Sequence, residues 1–133
     1  YGLATVTGPN RNIYTFGGFD LSGNNFSRSL VNEYNPATDT WTSLTSMPTG
    51  RTTPATTSGN DNKFYVFGGN NETGALSSVD VYDPASDSWS AGPQMPASRY
   101  LMGAATAGDG TIYVIGGVYN GSESDTSRTY VLN

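Results

Sequence analysis

Three short apolar runs, each ending in a pair of glycines, divide the chain at nearly regular intervals. They are Ile13-Tyr14-Thr15-Phe16-Gly17-Gly18, Phe64-Tyr65-Val66-Phe67-Gly68-Gly69 and Ile112-Tyr113-Val114-Ile115-Gly116-Gly117. The glycine pairs lie 51 and then 48 residues apart. Because apolar residues follow one another without alternation, each run predicts a central strand that is buried on both faces.

Other landmarks recur in the same register as the glycine pairs. They are a tyrosine followed seven residues later by a tryptophan (Tyr34 and Trp41, Tyr82 and Trp89), a Met-Pro pair (Met47-Pro48, Met95-Pro96) and an arginine (Arg51, Arg99), and the second copy of each lies 48 residues after the first. Landmarks that share one register indicate an internal repeat. We expect a single domain, 1–133, with repeats at approximately 1–50, 51–98 and 99–133.

The second repeat shows the strand signals most clearly. A small-residue segment, Ala55–Ser58, precedes the apolar run, and Ser78–Tyr82 alternates as a half-buried strand does. The turn Asp83–Asp87 contains a proline and leads to a last strand that starts at Trp89. In the first repeat, Leu30–Tyr34 matches the alternating segment. Four antiparallel strands in each period describe one blade of a β-propeller, so we predict an all-β fold with blades of four, four and three strands, ~2.8 blades in all.

At this level of detail the chain resembles the kelch repeat. The family pattern is an arginine, a small-residue strand, an apolar strand ending in Gly-Gly, then Tyr-Asp-Pro and a tryptophan, and two copies here carry nearly all of it. The resemblance covers the whole chain and implies a propeller that closes with about six or seven blades. A single chain is therefore expected to form an incomplete ring.

Three interpretations of the incomplete ring stay open: a piece of a longer propeller, an assembly of copies, or a subunit of a fibre. An open blade exposes an unpaired strand edge and an apolar face, and both promote association. We therefore favour a homo-oligomer or polymer.

The landmark residues have structural explanations. The glycine pairs end strands where the backbone needs unusual φ values. The Tyr–Trp pairs are expected to bury large aromatic surfaces between blades. Arg51 and Arg99 each follow a Met-Pro turn by a few residues, where a guanidinium can bond several backbone carbonyls. We favour this structural role for both arginines over ligand binding.

Composition excludes several classes of function. The chain has no His and no Cys, so Ser-His-Asp and Cys-His catalysis, disulfides and the usual zinc, haem and iron–sulfur sites are not expected. A net charge of −5 argues against nucleic-acid binding, and no apolar run reaches the roughly 18 residues of a membrane helix. Thr, Ser and Asn together make 44 residues and lysine occurs once. This polar, weakly charged composition favours an extracellular or cell-surface location.

The kelch resemblance implies that partners bind to loops at one end of the blades. These positions lie after the glycine pairs and next to the arginines: Phe19, Asp20, Asn70, Asn71, Val118, Tyr119, Thr52 and Tyr100. Loops rich in Asn, Ser and Gly suit a polar protein or glycan ligand. Solvated connections with no ligand are an equally good explanation of the same residues.

Each of these loops also contains an N-glycosylation sequon, at Asn25, Asn71 and Asn120. Glycans on equivalent loops would cover one end of the molecule. The sequence therefore predicts a non-catalytic interaction module that self-associates, with a glycosylated, fibre-forming structural subunit as the alternative.

A sugar-active, mutarotase-like enzyme is a further alternative from the same family. Its reaction would need carboxylates, and the candidates are Asp20, Glu72, Glu123 and Asp125. They show no informative pairing. Asp39 and Asp87 are explained by turn chemistry. We therefore predict no catalytic residue, no cofactor and no metal.

Overall fold

The computed structural model describes residues 1–21, 26–119, 122–123 and 129–132 and folds them into β-strands and turns. The strands are β1 (Ala4–Thr7), β2 (Ile13–Phe16), β3 (Val31–Asn35), β4 (Thr40–Leu44), β5 (Ala55–Ser58), β6 (Phe64–Phe67), β7 (Asn70–Asn71), β8 (Gly74–Ala75), β9 (Val79–Asp83), β10 (Ser88–Ala91), β11 (Tyr100–Thr106), β12 (Ile112–Tyr119), β13 (Ser122–Glu123) and β14 (Thr129–Leu132). Across these residues we find no helix with the length and apolar character to cross a bilayer.

The strands form three antiparallel sheets in sequence order. The first has the order β1-β2-β3-β4 and the second β5-β6-β9-β10. In the third, β12 lies between β11 and β14 and also pairs with the short β13, while β7 and β8 form a separate hairpin. The described sheets do not close on one another. This arrangement confirms the predicted all-β class of open propeller blades.

The apolar runs become inner strands, each of which pairs with another strand along both of its edges. β6, for example, pairs with β5 on one side and with β9 on the other. β5 has the bounds that the sequence predicts, whereas β3 and β9 begin and end one residue later than predicted. The Pro turn after β9 is bonded as expected, since Asp83 accepts a hydrogen bond from the Ala85 amide at 2.9 Å.

Two apolar clusters fill the spaces between the sheets. One lies between the first and second sheets (Tyr14, Phe16, Val31, Met47, Phe64, Val66, Tyr82) and the other between the second and third (Ala55, Phe67, Val79, Met95, Ile112, Val114). Successive residues of β6 alternate between them, because neighbouring side chains of a strand point to opposite faces. Burying each large side chain contributes roughly 1.5–3 kcal/mol.

The outer sheets each keep one uncovered face, which corrects two expectations. Trp41 is 62% exposed rather than buried between blades. In β12, Ile112 and Val114 are buried but Tyr113 and Ile115 are exposed, so this run does have a solvated face. The physical reason is that the described residues place no further sheet beyond the first or the third.

These two uncovered surfaces are the leading face and the trailing face. The leading face of the first sheet consists of Ile13, Tyr34 and Trp41, which lie opposite the side chains that pack on the second sheet. The trailing face of the third sheet consists of Tyr113, Ile115 and Val131, with Gly103 and Ala105 beside them on β11.

The third glycine pair does not end its strand, contrary to prediction. β12 continues through Gly116 and Gly117 to Tyr119, because Tyr100 of β11 pairs with Val118. Val118 and Tyr119 therefore lie in a strand and not in a loop. In the first two repeats the strands end at Phe16 and Phe67, directly before the glycines, as predicted.

Candidate functional site

A cleft of about 100 Å³ lies between the first and second sheets, at the end where the glycine pairs are. Its walls come from two consecutive repeats and consist of Phe19, Ser27, Thr52, Asn70, Asn71 and Glu72. Four of the eight predicted binding residues therefore lie together. We call this the loop groove.

Backbone hydrogen bonds fix the floor of the loop groove. Thr52 and Asn70 exchange two backbone N–H···O bonds of 2.8 Å each. Phe19 pairs with Ser27 across its own loop, and its amide donates to the Tyr1 carbonyl at 2.7 Å. The ring of Phe19 is half-buried, with its centroid 5.2 Å from that of Tyr1. The groove is therefore a preformed surface and not a set of independent loops.

Glu72 joins the two repeats across the groove. Its carboxylate accepts hydrogen bonds from the backbone amide and from the hydroxyl of Ser27, the latter at 2.9 Å. The pKa of this exposed carboxyl is held below its usual value, mainly by a hydrogen bond from Glu72's own backbone N–H and then by the two from Ser27. The groove thus carries a fixed negative charge beside the amides of Asn70 and Asn71.

Beneath this end of the molecule, Arg51 is fully buried between the first two sheets. Its guanidinium donates to the Gly68 carbonyl at 3.0 Å, to the Ser78 hydroxyl at 3.2 Å and to the Asp80 carboxylate. Burial lowers the pKa of Arg51 and raises that of Asp80, and their mutual attraction opposes both shifts. The geometry supports the predicted structural role of Arg51.

Arg99 occupies the equivalent place in the third repeat and is only partly buried. It donates to the Gly116 carbonyl at 3.2 Å and lines a cavity of about 180 Å³ with Met102 and Tyr130. The strand register places Tyr130 at the position that Asp80 has in the second repeat. The two arginines therefore bond equivalent backbone carbonyls, and the position that Asp80 has beside Arg51 is taken by Tyr130 in the third repeat.

A second cleft lies at the opposite end of the first two sheets, with a volume of about 550 Å³. There Glu33 accepts hydrogen bonds from Tyr14 at 2.6 Å, Asn12 at 2.7 Å and Asn10 at 2.9 Å. Burial raises the pKa of Glu33, but these three donors outweigh it and leave the pKa below its ordinary value. Burial and the bond to Glu33 raise the pKa of Tyr14 to about 12. This network ties the start of the first repeat to β3.

The remaining predicted residues are distributed as follows. Asp20 lies beside the loop groove in an ion pair with Arg28 at 2.6 Å. Tyr100, Val118 and Tyr119 lie on β11 and β12, away from the groove. Asn25, Asn120 and Asp125 lie outside the described residues. No three Asp or Glu side chains of the described ranges come together as a metal site would require.

Sequence reasoning missed two partners in these sites. The sequence pattern does not single out Ser27 as the partner of Glu72 or Asp80 as the partner of Arg51. The signal for Asp80 is its place two residues before Tyr82 on a buried strand, where a carboxylate needs a cation. No local pattern points to Ser27, since its partner is 45 residues away.

Comparison with known proteins identifies the architecture. The model of the KLHDC2/KLHL20/DRC7 Kelch-repeats domain matches residues 1–133. The chain belongs to the kelch-repeat family. A search of the curated proteins found no match. The open sheets are thus kelch blades, and the loop groove lies where two consecutive kelch blades meet.

The kelch glycines show how closely successive blades approach. Gly17 and Gly68 have φ values of +68° and +52°, and a Cβ at either would collide with the backbone carbonyl of the next blade's arginine. Those carbonyls accept hydrogen bonds from the Gly18 and Gly69 amides at 2.9 and 2.8 Å. Gly116 has a similar φ of +75°, but no atom of the described residues lies within 4 Å of a Cβ placed there. The third blade therefore presents the same backbone shape without a neighbour on it.

Proposed function

We propose that this kelch domain is a non-catalytic module that binds a protein partner in the loop groove. Kelch-repeat domains serve as protein-interaction scaffolds, and the observation that carries the proposal is the convergence of two repeats on one preformed groove. A half-buried aromatic ring beside side-chain amides is typical of protein-binding surfaces. In the described part of the chain, the Asn70 side-chain amide has no hydrogen-bond partner of its own, so it is available to a ligand.

The carboxylates of this end favour binding over catalysis. Asp20 is paired with Arg28, and Glu72 accepts hydrogen bonds from Ser27. A general acid or base needs a proton-accepting group that faces the substrate at a suitable pKa. These contacts instead hold both carboxylates in structural roles, which argues against a mutarotase-like reaction.

A peptide-display selection on the immobilised domain tests the groove directly. Peptides selected on the wild type should bind at least tenfold more weakly to Asn70→Ala and with unchanged affinity to Asn60→Ala. Asn60 is a matched control because it is an exposed asparagine in a turn that lies away from the loop groove, next to Gly110. Equal binding by both variants, with unchanged urea midpoints, would refute the groove as the binding site.

A second candidate function is self-association, and the exposed leading and trailing faces favour it. Each face is the counterpart of a surface that is covered elsewhere in the same molecule. Contiguous apolar surface of this kind drives association. Sedimentation velocity over a concentration series tests it, because association raises the mean sedimentation coefficient with concentration and a monomer leaves it constant.

As the alternative to a protein ligand in the loop groove, we propose an extracellular or cell-surface location with a glycan at Asn71. Its Oδ1 accepts hydrogen bonds from the Thr73 amide at 2.9 Å and from the Thr73 hydroxyl at 2.7 Å, so the sequon is already folded into a local turn. Intact mass after secretion from a glycosylating host tests this, with Thr73→Ala as the control that removes the sequon. Since Asn71 lines the loop groove, a glycan there would exclude a protein ligand but not a self-association through the sheet faces.

A further inference from the structure

The described residues contain the same kind of blade-to-blade interface twice. Each of the two surfaces that form this interface also occurs once more with no blade packed against it. In each covered case, the trailing side of one blade packs on the leading side of the next, first blade on second and second on third. The leading face of the first blade and the trailing face of the third are the same two halves by strand register. The two covered interfaces therefore show which kind of surface can pack against each open face.

In the second blade, the leading side is covered by the first blade. Trp89 packs edge-on against Phe16 of the first blade, with ring centroids 5.9 Å apart at an angle of 86°. Its indole N–H donates to the Thr45 carbonyl at 2.9 Å, and the Thr45 amide donates to Asp87 at 2.9 Å. One residue of the preceding blade, Thr45, thus accepts one hydrogen bond from this half and donates another to it.

The same unit is preassembled, but exposed, in the first blade. Tyr34 and Trp41 have ring centroids 4.9 Å apart, against 5.0 Å for Tyr82 and Trp89. The Tyr34 hydroxyl donates to Asp39 at 3.0 Å, just as Tyr82 donates to Asp87. Because the rings and the carboxylate are already positioned, docking costs little conformational entropy.

The trailing half is exposed in the third blade. By register, Tyr113 and Ile115 stand where Tyr14 and Phe16 stand in the first blade. Tyr14 and Phe16 are 3% and 0% exposed, whereas Ile115 is 49% exposed. Gly103 and Ala105 of β11 leave this face flat, and among the described residues nothing lies within 4 Å of a Cβ placed at Gly116.

We propose that the leading face of one copy binds the trailing face of a second copy, so that copies join head to tail. This rests on the proposed self-association and gives it a direction. A second copy fits each open face because, in both interfaces within the chain, a leading surface contacts a trailing surface. A symmetric contact of two leading faces has no counterpart within the chain, and it would place the like-charged Asp39 carboxylates of both copies in one interface.

Complementary charge-inserting variants test the direction. Trp41→Arg blocks the leading face and Ile115→Arg blocks the trailing face, and each alone should weaken self-association at least tenfold in sedimentation velocity. Mixed together, the two variants should form a dimer that does not grow further, since each retains one intact face. Leu21→Arg is the control, because Leu21 is 68% exposed and lies on neither face.

Each other outcome overturns the proposal in a distinct way. A wild type that stays monomeric over the whole concentration range refutes self-association together with its direction, while leaving the loop groove untouched. Loss of association in Trp41→Arg but not in Ile115→Arg, with no dimer in the mixture, refutes the head-to-tail arrangement and keeps self-association. Matching circular dichroism spectra and urea midpoints confirm that the variants are folded.

Discussion

The first and second blades carry the same Tyr–Asp–Trp unit in two environments. In the second blade, Tyr82 is 1% exposed and Trp89 is bonded to the preceding blade. In the first blade, the equivalent Tyr34 and Trp41 have the same internal geometry but face outwards. The comparison teaches that the repeat motif builds the unit, whereas its burial depends on whether another blade lies against it.

The largest effect is expected from the buried arginine. Arg51→Ala leaves the Asp80 carboxylate buried without its cation and should lower the free energy of unfolding by about 3–5 kcal/mol. Arg99→Ala should cost about 1–2 kcal/mol, since Arg99 is partly solvated. Urea unfolding measures both values. The double variant with Asp80→Ala should recover part of the loss, and an Arg51→Ala cost no greater than that of Arg99→Ala would contradict the burial argument.

The next largest contrast is expected between the stability costs of replacing the two tryptophans. Trp89→Ala removes an aromatic ring and an indole hydrogen bond from the first interface, so we expect a loss of about 3 kcal/mol. Trp41→Ala should cost less than about 1 kcal/mol at concentrations where the chain is monomeric. The chain has only these two tryptophans, so fluorescence of Trp41→Phe and Trp89→Phe also separates a shielded emission from a solvated one. Equal costs would show that the first blade is covered in solution.

The glycines give a smaller contrast. Gly68→Ala places a methyl group against the Arg99 carbonyl and the methyl groups of two methionines, and should cost about 2 kcal/mol or more. Gly116→Ala meets only the penalty of its positive φ, about 1 kcal/mol. Thermal unfolding under identical conditions compares the two. A Gly116→Ala penalty as large as that of Gly68→Ala would indicate a neighbour at the trailing face.

The smallest expected effect is that of pH on Glu33. Its folded-state pKa is depressed, so its stabilising contribution is present above the unfolded pKa of about 4.3 and is lost as pH falls through the folded value. Glu33→Gln should therefore cost about 1 kcal/mol at pH 7, and this difference should shrink below pH 4. Urea midpoints from pH 3 to pH 8 measure the trend, and a pH-independent difference would contradict the sign of the shift.

Much of the fold followed from local pattern. The small-residue segment at Ala55–Ser58 became β5 with the same bounds, and the apolar run at Phe64–Phe67 became an inner strand. Four of the six residues that line the loop groove were also predictable, because their positions follow from their distance to the arginine or the glycine pair. The bond between Ser27 and Glu72 was not, because it joins loops whose approach depends on the packing of two blades.

The sequence by itself determined the repeat, the order of its strands and the residues available at each turn, because period, alternation, glycine and proline act over a few neighbouring residues. Only the tertiary structure decided which copy of each motif is buried, that β12 runs on through its glycine pair, and which two faces stay open. Those outcomes depend on contacts between blades about 50 residues apart in the chain, where the same local pattern meets either a neighbour or solvent.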